Sequence, residues 1–138
     1  MGAMLSELYS PNLPHLYQVC GFDFCIIGCE HGAYDHAMVA AMVAVARARG
    51  IDVFVRVPGL SGENLHTYLD MGVDGFVVPR IRSTAEVESA VQLTKYPPLG
   101  GRGISITRAH SDYAVGDWGE YMEKRNGSFL LLVQIETR

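Results

Sequence analysis

Five polar side chains stand where apolar runs end, and their types suit proton transfer, anion binding and cation binding. The run over residues 22–28 closes on Glu30 and His31, the run over 53–57 carries Arg56, and the run over 129–133 leads into Gln134 and Glu136. An imidazole titrates near neutral pH and serves as a general base or acid. A guanidinium matches a carboxylate with two parallel hydrogen bonds. Gln134 and Glu136 are two residues apart and so share one side of an extended chain. An amide and a carboxylate placed together suit a hard divalent cation and its bound substrate.

Each of these residues also has an ordinary reading. His31 is equally well a histidine satisfied by its own loop. Arg56 interrupts Val-Phe-Val-Arg-Val and needs a counter-charge, for which Glu136 or Glu30 serves as well as a substrate carboxylate. Glu136 equally marks where a strand reaches solvent. Cys20, Cys25, Cys29, His31 and His36 lie close in sequence but contain no CxxC, and their spacing is wrong for a zinc knuckle.

The elements that must position these groups repeat. Glycine, an apolar residue and aspartate introduce an apolar run at residues 21–23, 50–52 and 72–74. A glycine just past a helix supplies its left-handed cap, and the run after it reads as a buried strand. Strands are expected over residues 22–28, 53–57, 75–78 and 129–135. Helices are expected from after Pro14 to 20, over 35–49 with Asp35 as N-cap, over 61–71 with Ser61 as N-cap, from Thr84 to the break at Tyr96-Pro97-Pro98, and over 117–124. A capping box at Thr84 is weak, because its third position is Val87 while the acids fall at Glu86 and Glu88. Residues 99–115 read as a long irregular loop. Strands joined by helices are parallel, and functional groups at their C-terminal ends are how α/β enzymes build sites.

The expected fold is therefore a truncated (β/α)8 TIM barrel of about four parallel strands with intervening helices. A whole barrel takes about 250 residues, and this chain has 138. Residues 1–9 read as a tag or a replaced N-terminal segment in which the first barrel strand is missing, and residues 10–138 as a partial barrel domain.

Composition bounds the function. Hydrophobic residues make up 49% and charged ones 19%, as in a globular domain rather than a disordered one. A net charge of -4 provides no basic field for nucleic acid. No apolar stretch approaches the roughly 20 residues that span a bilayer, and no secretory signal is visible. The N-terminal Met-Gly-Ala-Met-Leu-Ser fits the N-myristoylation pattern but lacks a supporting polybasic patch. Three cysteines crowded into residues 20–29 point to free thiols in a reducing cytoplasm.

Five strings carry a resemblance: FDFCIIGCEHG (22–32), VFVRVPG (53–59), YLDMGVDGFVVPR (68–80), TKYPPLGGRGIS (94–105) and LLLVQIETR (130–138). In this order they resemble the HpcH/HpaI aldolases, metal-dependent class II pyruvate aldolases such as 4-hydroxy-2-oxoheptanedioate aldolase and 2-dehydro-3-deoxyglucarate aldolase. The resemblance implies a TIM barrel that reversibly cleaves a 4-hydroxy-2-oxo acid to pyruvate, or a related 2-oxo acid, and an aldehyde. It implies His31 as base, Arg56 as the group that holds the 2-oxo acid and stabilises its enolate, and Gln134 as a substrate contact. Glu136 becomes a ligand of a magnesium or manganese ion, with cobalt a further option, and Asp70 an acid that raises the histidine's basicity. A homo-oligomer is the expected assembly. The chain departs from the family at Gly28, where most members have aspartate, and lacks the later strand with the family's second metal-binding aspartate. The alternative from a different class is a non-catalytic half-barrel that self-associates.

If the site reading holds, the functional atoms of His31, Arg56 and Glu136 converge on one face of the sheet within about 10 Å, the radius of a barrel mouth.

Overall fold

A computed structural model describes residues 1–105, 107–114 and 116–136. Val115, at the end of the expected loop, and Thr137 and Arg138, at the end of the last string, lie outside the described residues, as does Ile106.

The repeat seen in the sequence folds as parallel strand, helix, strand. In chain order come β1 (Gly2–Leu5), α1 (Leu13–Val19), β2 (Phe24–Gly28), α2 (His36–Arg49), β3 (Asp52–Arg56), α3 (Gly62–Met71) and β4 (Gly75–Val78). Then follow α4 (Thr84–Thr94), a 3-10 turn (Ala109–Ser111), α5 (Trp118–Ser128) and β5 (Leu130–Val133). The strands form one sheet in the order β1-β2-β3-β4-β5, with every neighbouring pair parallel. This is five strands where about four were expected. The additional one, β1, lies within residues 1–9 and pairs with β2 from Gly2↔Phe24 to Leu5↔Ile27. A four-residue strand with little alternation leaves almost no periodic signal; its partner strand, not its own pattern, defines it.

Local chemistry explains where the helices start and stop. The Asp35 side chain accepts the Met38 N–H at 2.8 Å, and Gly50 ends α2 with φ of 67°. Val39, Met42, Val43 and Ala46 are buried at helical spacing, so one stripe of α2 faces the sheet. Ser61 is the N-cap of α3 but makes no side-chain cap bond. In α4 the cap falls one residue earlier than the sequence suggested. Ser83 is the N-cap, Glu86 then stands at the third position, and both halves of a capping box form.

Alternation along the strands divides the sheet into two faces. Cys25, Ile27, Val53, Val55, Phe76 and Val78 are buried against α1, α2 and α3, and this layer is the core. Burial pushes the Cys25 thiol up to about 12, so it behaves as an apolar group. The opposite face carries Ile26, Phe54, Arg56, Val77 and Leu132. On it Gly28, Arg56, Val77 and Leu132 lie on one rung across four strands. Leu130 and Leu132, 51% and 45% exposed, leave that face open at the β5 edge.

Candidate active site

Because all strands run the same way, their C-terminal ends meet at one rim, here called the mouth. Cys29 continues β2 by donating its N–H to the Arg56 carbonyl. Beyond it, Glu30 turns its carboxylate inward until the side chain is only 4% exposed. Arg56, at the end of β3, is 18% exposed and forms a tight ion pair with Glu30 through Nη2. The same Nη2 lies 3.9 Å from Glu136 Oε1. His31 Nε2 is 3.7 Å from Glu30 Oε1, with the imidazole mostly in solvent. His31, Arg56 and Glu136 are thus linked through contacts under 4 Å, with Glu30 as the hub. Arg56 has the internal counter-charge that an arginine in an apolar strand requires, and Glu30 supplies most of it.

Three atoms at this rim are buried without a hydrogen-bond partner among the described residues: Arg56 Nε, Gln134 Oε1 and Glu30 Oε2, the last of which lies in the ion pair with Arg56. Gln134 is held by its backbone, donating to the Val78 carbonyl at 2.9 Å and accepting from Ile81 N–H at 3.0 Å. Its side-chain oxygen is therefore positioned but unused. An unmade buried hydrogen bond costs about 1–3 kcal/mol, which a ligand bearing a matching acceptor or cation would recover. Arg80, to which the sequence drew no attention, joins the same cluster. Its Nε lies 3.2 Å from Glu30 Oε1, its Nη2 donates to the Pro58 carbonyl, and its N–H donates to Glu136 Oε2. The one signal in the sequence was its place two residues past a strand, immediately after Pro79.

The donors fit a hard cation in part. Glu136 offers a carboxylate and Gln134 a free amide oxygen, the kind of set a magnesium or manganese ion supplements with water and substrate. Among the described residues, no group of three His, Cys, Asp or Glu side chains is gathered to hold a metal by itself. At Gly28 a Cβ would lie 3.2 Å from the Leu5 carbonyl oxygen, so the neighbouring strand stands close where the family's aspartate would project.

Asp70 stands apart from these groups within the chain. It sits in the last turn of α3, and α3 runs opposite to the strands, so its C-terminal end lies at the base of the sheet, away from the mouth. There Asp70 Oδ1 is 3.6 Å from Arg102 Nη2 and 3.9 Å from His110 Nε2. Within one chain it does not meet His31. The glycine- and arginine-rich string around residues 94–105 also belongs to the base. Arg102, its side chain 2% exposed, lies over the Tyr96 ring at 4.5 Å. Asn126 of α5 exchanges two hydrogen bonds with the Tyr96 backbone, and Lys95 donates to the Asn126 and Phe129 carbonyls. His110 is buried between Tyr121 OH at Nδ1 and the Ser105 carbonyl at Nε2, partners that suit a neutral ring. Its pKa is lowered by burial, with the Arg102 charge adding to the effect. A cavity of about 1140 Å³ opens nearby, lined by Arg47, His66, Asp70, Arg108 and Asp112 among others, and none of the mouth residues reaches it.

Comparison with known proteins places the chain and its fold. The sequence profile of the HpcH/HpaI aldolase/citrate lyase family matches residues 4–138. The chain is 33% identical over 130 residues to a hydroxypyruvate/pyruvate aldolase of Deinococcus radiodurans, covering 91% of this chain and 46% of that protein. It is 29% identical over 133 residues to a 5-keto-4-deoxy-D-glucarate aldolase of Shigella sonnei, covering 96% and 51%. Among solved structures, an HpcH/HpaI aldolase from Desulfitobacterium hafniense superposes with a TM-score of 0.93 at 35% identity, over 98% of this chain and 52% of that one. Macrophomate synthase superposes with a TM-score of 0.79 at 25% identity, over 97% and 48%. The chain spans about half the length of the curated relatives it matches.

Proposed function

The chain belongs to the HpcH/HpaI aldolase/citrate lyase family, and from that premise we propose that its mouth binds a 2-oxo acid and supports metal-dependent aldol cleavage. The substrate is a 4-hydroxy-2-oxo acid, and the products are pyruvate, or a related 2-oxo acid, and an aldehyde. The observation that carries the proposal is the unused donor Arg56 Nε and the unused acceptor Gln134 Oε1, buried at the rim that also holds Glu30, His31 and Glu136.

In this scheme Arg56 takes the oxo acid through its free Nε–H and the adjoining Nη2, and stabilises negative charge as the enolate develops. His31, reachable from solvent, accepts the proton of the C4 hydroxyl as the C3–C4 bond breaks and the aldehyde leaves. The bonding pair remains on C3 as the enolate, and a proton delivered to C3 gives pyruvate. Gln134 orients the substrate. Glu136, with the Gln134 oxygen, would hold a magnesium or manganese ion, or cobalt, which supplies Lewis-acid polarisation of the 2-oxo group. Asp70 has no part in this scheme within one chain. Free thiols at Cys20, Cys25 and Cys29 support a reducing cytoplasm as the setting. No helix of the described residues is long and apolar enough to cross a membrane.

The test is release of pyruvate by this chain from several 4-hydroxy-2-oxo acids with magnesium, manganese or cobalt, and its loss with chelator. Absence of metal-dependent turnover and of pyruvate binding would sink the reading. A second reading, a non-catalytic half-barrel that self-associates, is favoured by the exposed apolar residues Met4, Leu130, Leu132 and Ile135 at the sheet's edges and rim. Sedimentation across a concentration series decides it, because a strict monomer excludes self-association.

A further inference from the structure

The scheme above leaves Arg80 without a task, yet its conformation is a costly one. It leaves β4 with φ of 58°, in the left-handed region where a non-glycine residue is strained. That turn lets one residue reach three strand ends: Glu136 through its N–H, the Pro58 carbonyl through Nη2 and Glu30 through Nε. The link to Glu136 needs only a backbone N–H, which any residue in this conformation provides. The guanidinium is required for Glu30.

Glu30 is a nearly buried carboxylate between two guanidiniums. A buried carboxylate deprived of its partner is strongly unfavourable. If Arg56 were its only counter-ion, a substrate carboxylate drawing on Arg56 would strip Glu30 of charge compensation and bind against that cost. Arg80 removes the conflict. Resting on the reading of Arg56 as the oxo-acid clamp, we propose that Arg80 is a positioning residue, the standing counter-ion of Glu30 that releases Arg56 to take the anionic head of the substrate. The buried Arg56 Nε, with no acceptor among the described residues, fits a guanidinium that the protein only partly engages.

The test uses this chain, pyruvate with magnesium as the probe, and two variants. Arg80→Gly keeps the left-handed turn and the N–H to Glu136 while removing the guanidinium; Arg80→Lys keeps the positive charge. Calorimetric titration is expected to show about tenfold weaker pyruvate binding in Arg80→Gly, with most of the affinity restored in Arg80→Lys and little change in Tm. Rotation of the Arg56 guanidinium, followed by nitrogen-15 NMR without ligand, is expected to slow in Arg80→Gly, because Glu30 then holds Arg56 alone. Equal pyruvate binding by wild type and Arg80→Gly overturns the proposal. So does parallel loss of affinity and Tm in both variants, which marks Arg80 as a structural clasp. If wild type binds no pyruvate, the oxo-acid reading of the site fails, and the NMR measurement still judges Arg80: unchanged Arg56 rotation in Arg80→Gly overturns its role.

Discussion

The two ends of the sheet are built from similar residue types and settle their charges in different proportions of ion pair and neutral contact. At the mouth, Glu30, Arg56, Arg80 and Glu136 lean on one another through ion pairs among side chains. At the base, Arg102 lies over Tyr96, His110 has a partner at each ring nitrogen, and Asn126 and Lys95 tie α5 to the backbone before and after it. The base relies chiefly on aromatic cover and main-chain carbonyls, which are neutral and permanently in place. Its charged contacts include Asp70 beside Arg102 and Asp112 beside Arg47, and Tyr96 Oη, Arg102 Nη2 and Arg125 Nε are left without a hydrogen-bond partner among the described residues. The mouth uses ion pairs among side chains, which can be exchanged for a ligand's charges. An arginine therefore does not mark function by type: Arg102 is covered by an aromatic ring, while Arg56, proposed above to bind the oxo acid, is held among carboxylates, and their surroundings make the difference.

That contrast is open to attack in order of expected effect. Tyr96→Ala removes a fully buried aromatic ring from the base and is expected to cost about 3–5 kcal/mol in denaturant unfolding. A loss well under 1 kcal/mol would mean that the base network does not support the fold. Arg56→Lys at the mouth keeps the charge but loses the planar fork. It is expected to lower pyruvate affinity and any aldol turnover by at least about tenfold, roughly 1.4 kcal/mol, while leaving unfolding nearly unchanged. Wild-type binding in that variant would make Arg56 structural and erase the distinction between the ends.

The third prediction concerns pH. His110 has a lowered pKa in the folded state, so the unfolded chain binds the proton more readily. Its contribution to stability is complete above the ordinary histidine value of about 6.5 and is lost as pH falls below it. Melting curves from pH 7.5 to 5 should therefore fall more steeply for the wild type than for His110→Gln; parallel curves would contradict the buried neutral ring. The smallest effect is expected at Ser83→Ala, which breaks the capping box of α4 for about 1 kcal/mol without altering pyruvate affinity. A change in affinity there would show that the mouth depends on the exact seating of α4.

Much of this was legible in the chain. Asp35 and Gly50 bound α2 as cap chemistry requires, and the apolar runs became β2, β3, β4 and β5. The capping box of α4 was misplaced by one residue because Ser83 and Thr84 both carry a capping hydroxyl, and only backbone geometry selects between them. β1 was missed because four residues without strong alternation become a strand only when a neighbour offers its hydrogen bonds.

The sequence by itself determined which residues end the strands, and therefore that His31, Arg56, Gln134 and Glu136 belong to one rim. Parallel strands of period two leave no other arrangement once the helices between them are set. The tertiary structure alone decided their partners. It buried Glu30 as the hub and drew Arg80 across from β4. Those outcomes depend on distances between residues far apart in the chain, and a linear pattern encodes the direction of a side chain but not what it meets.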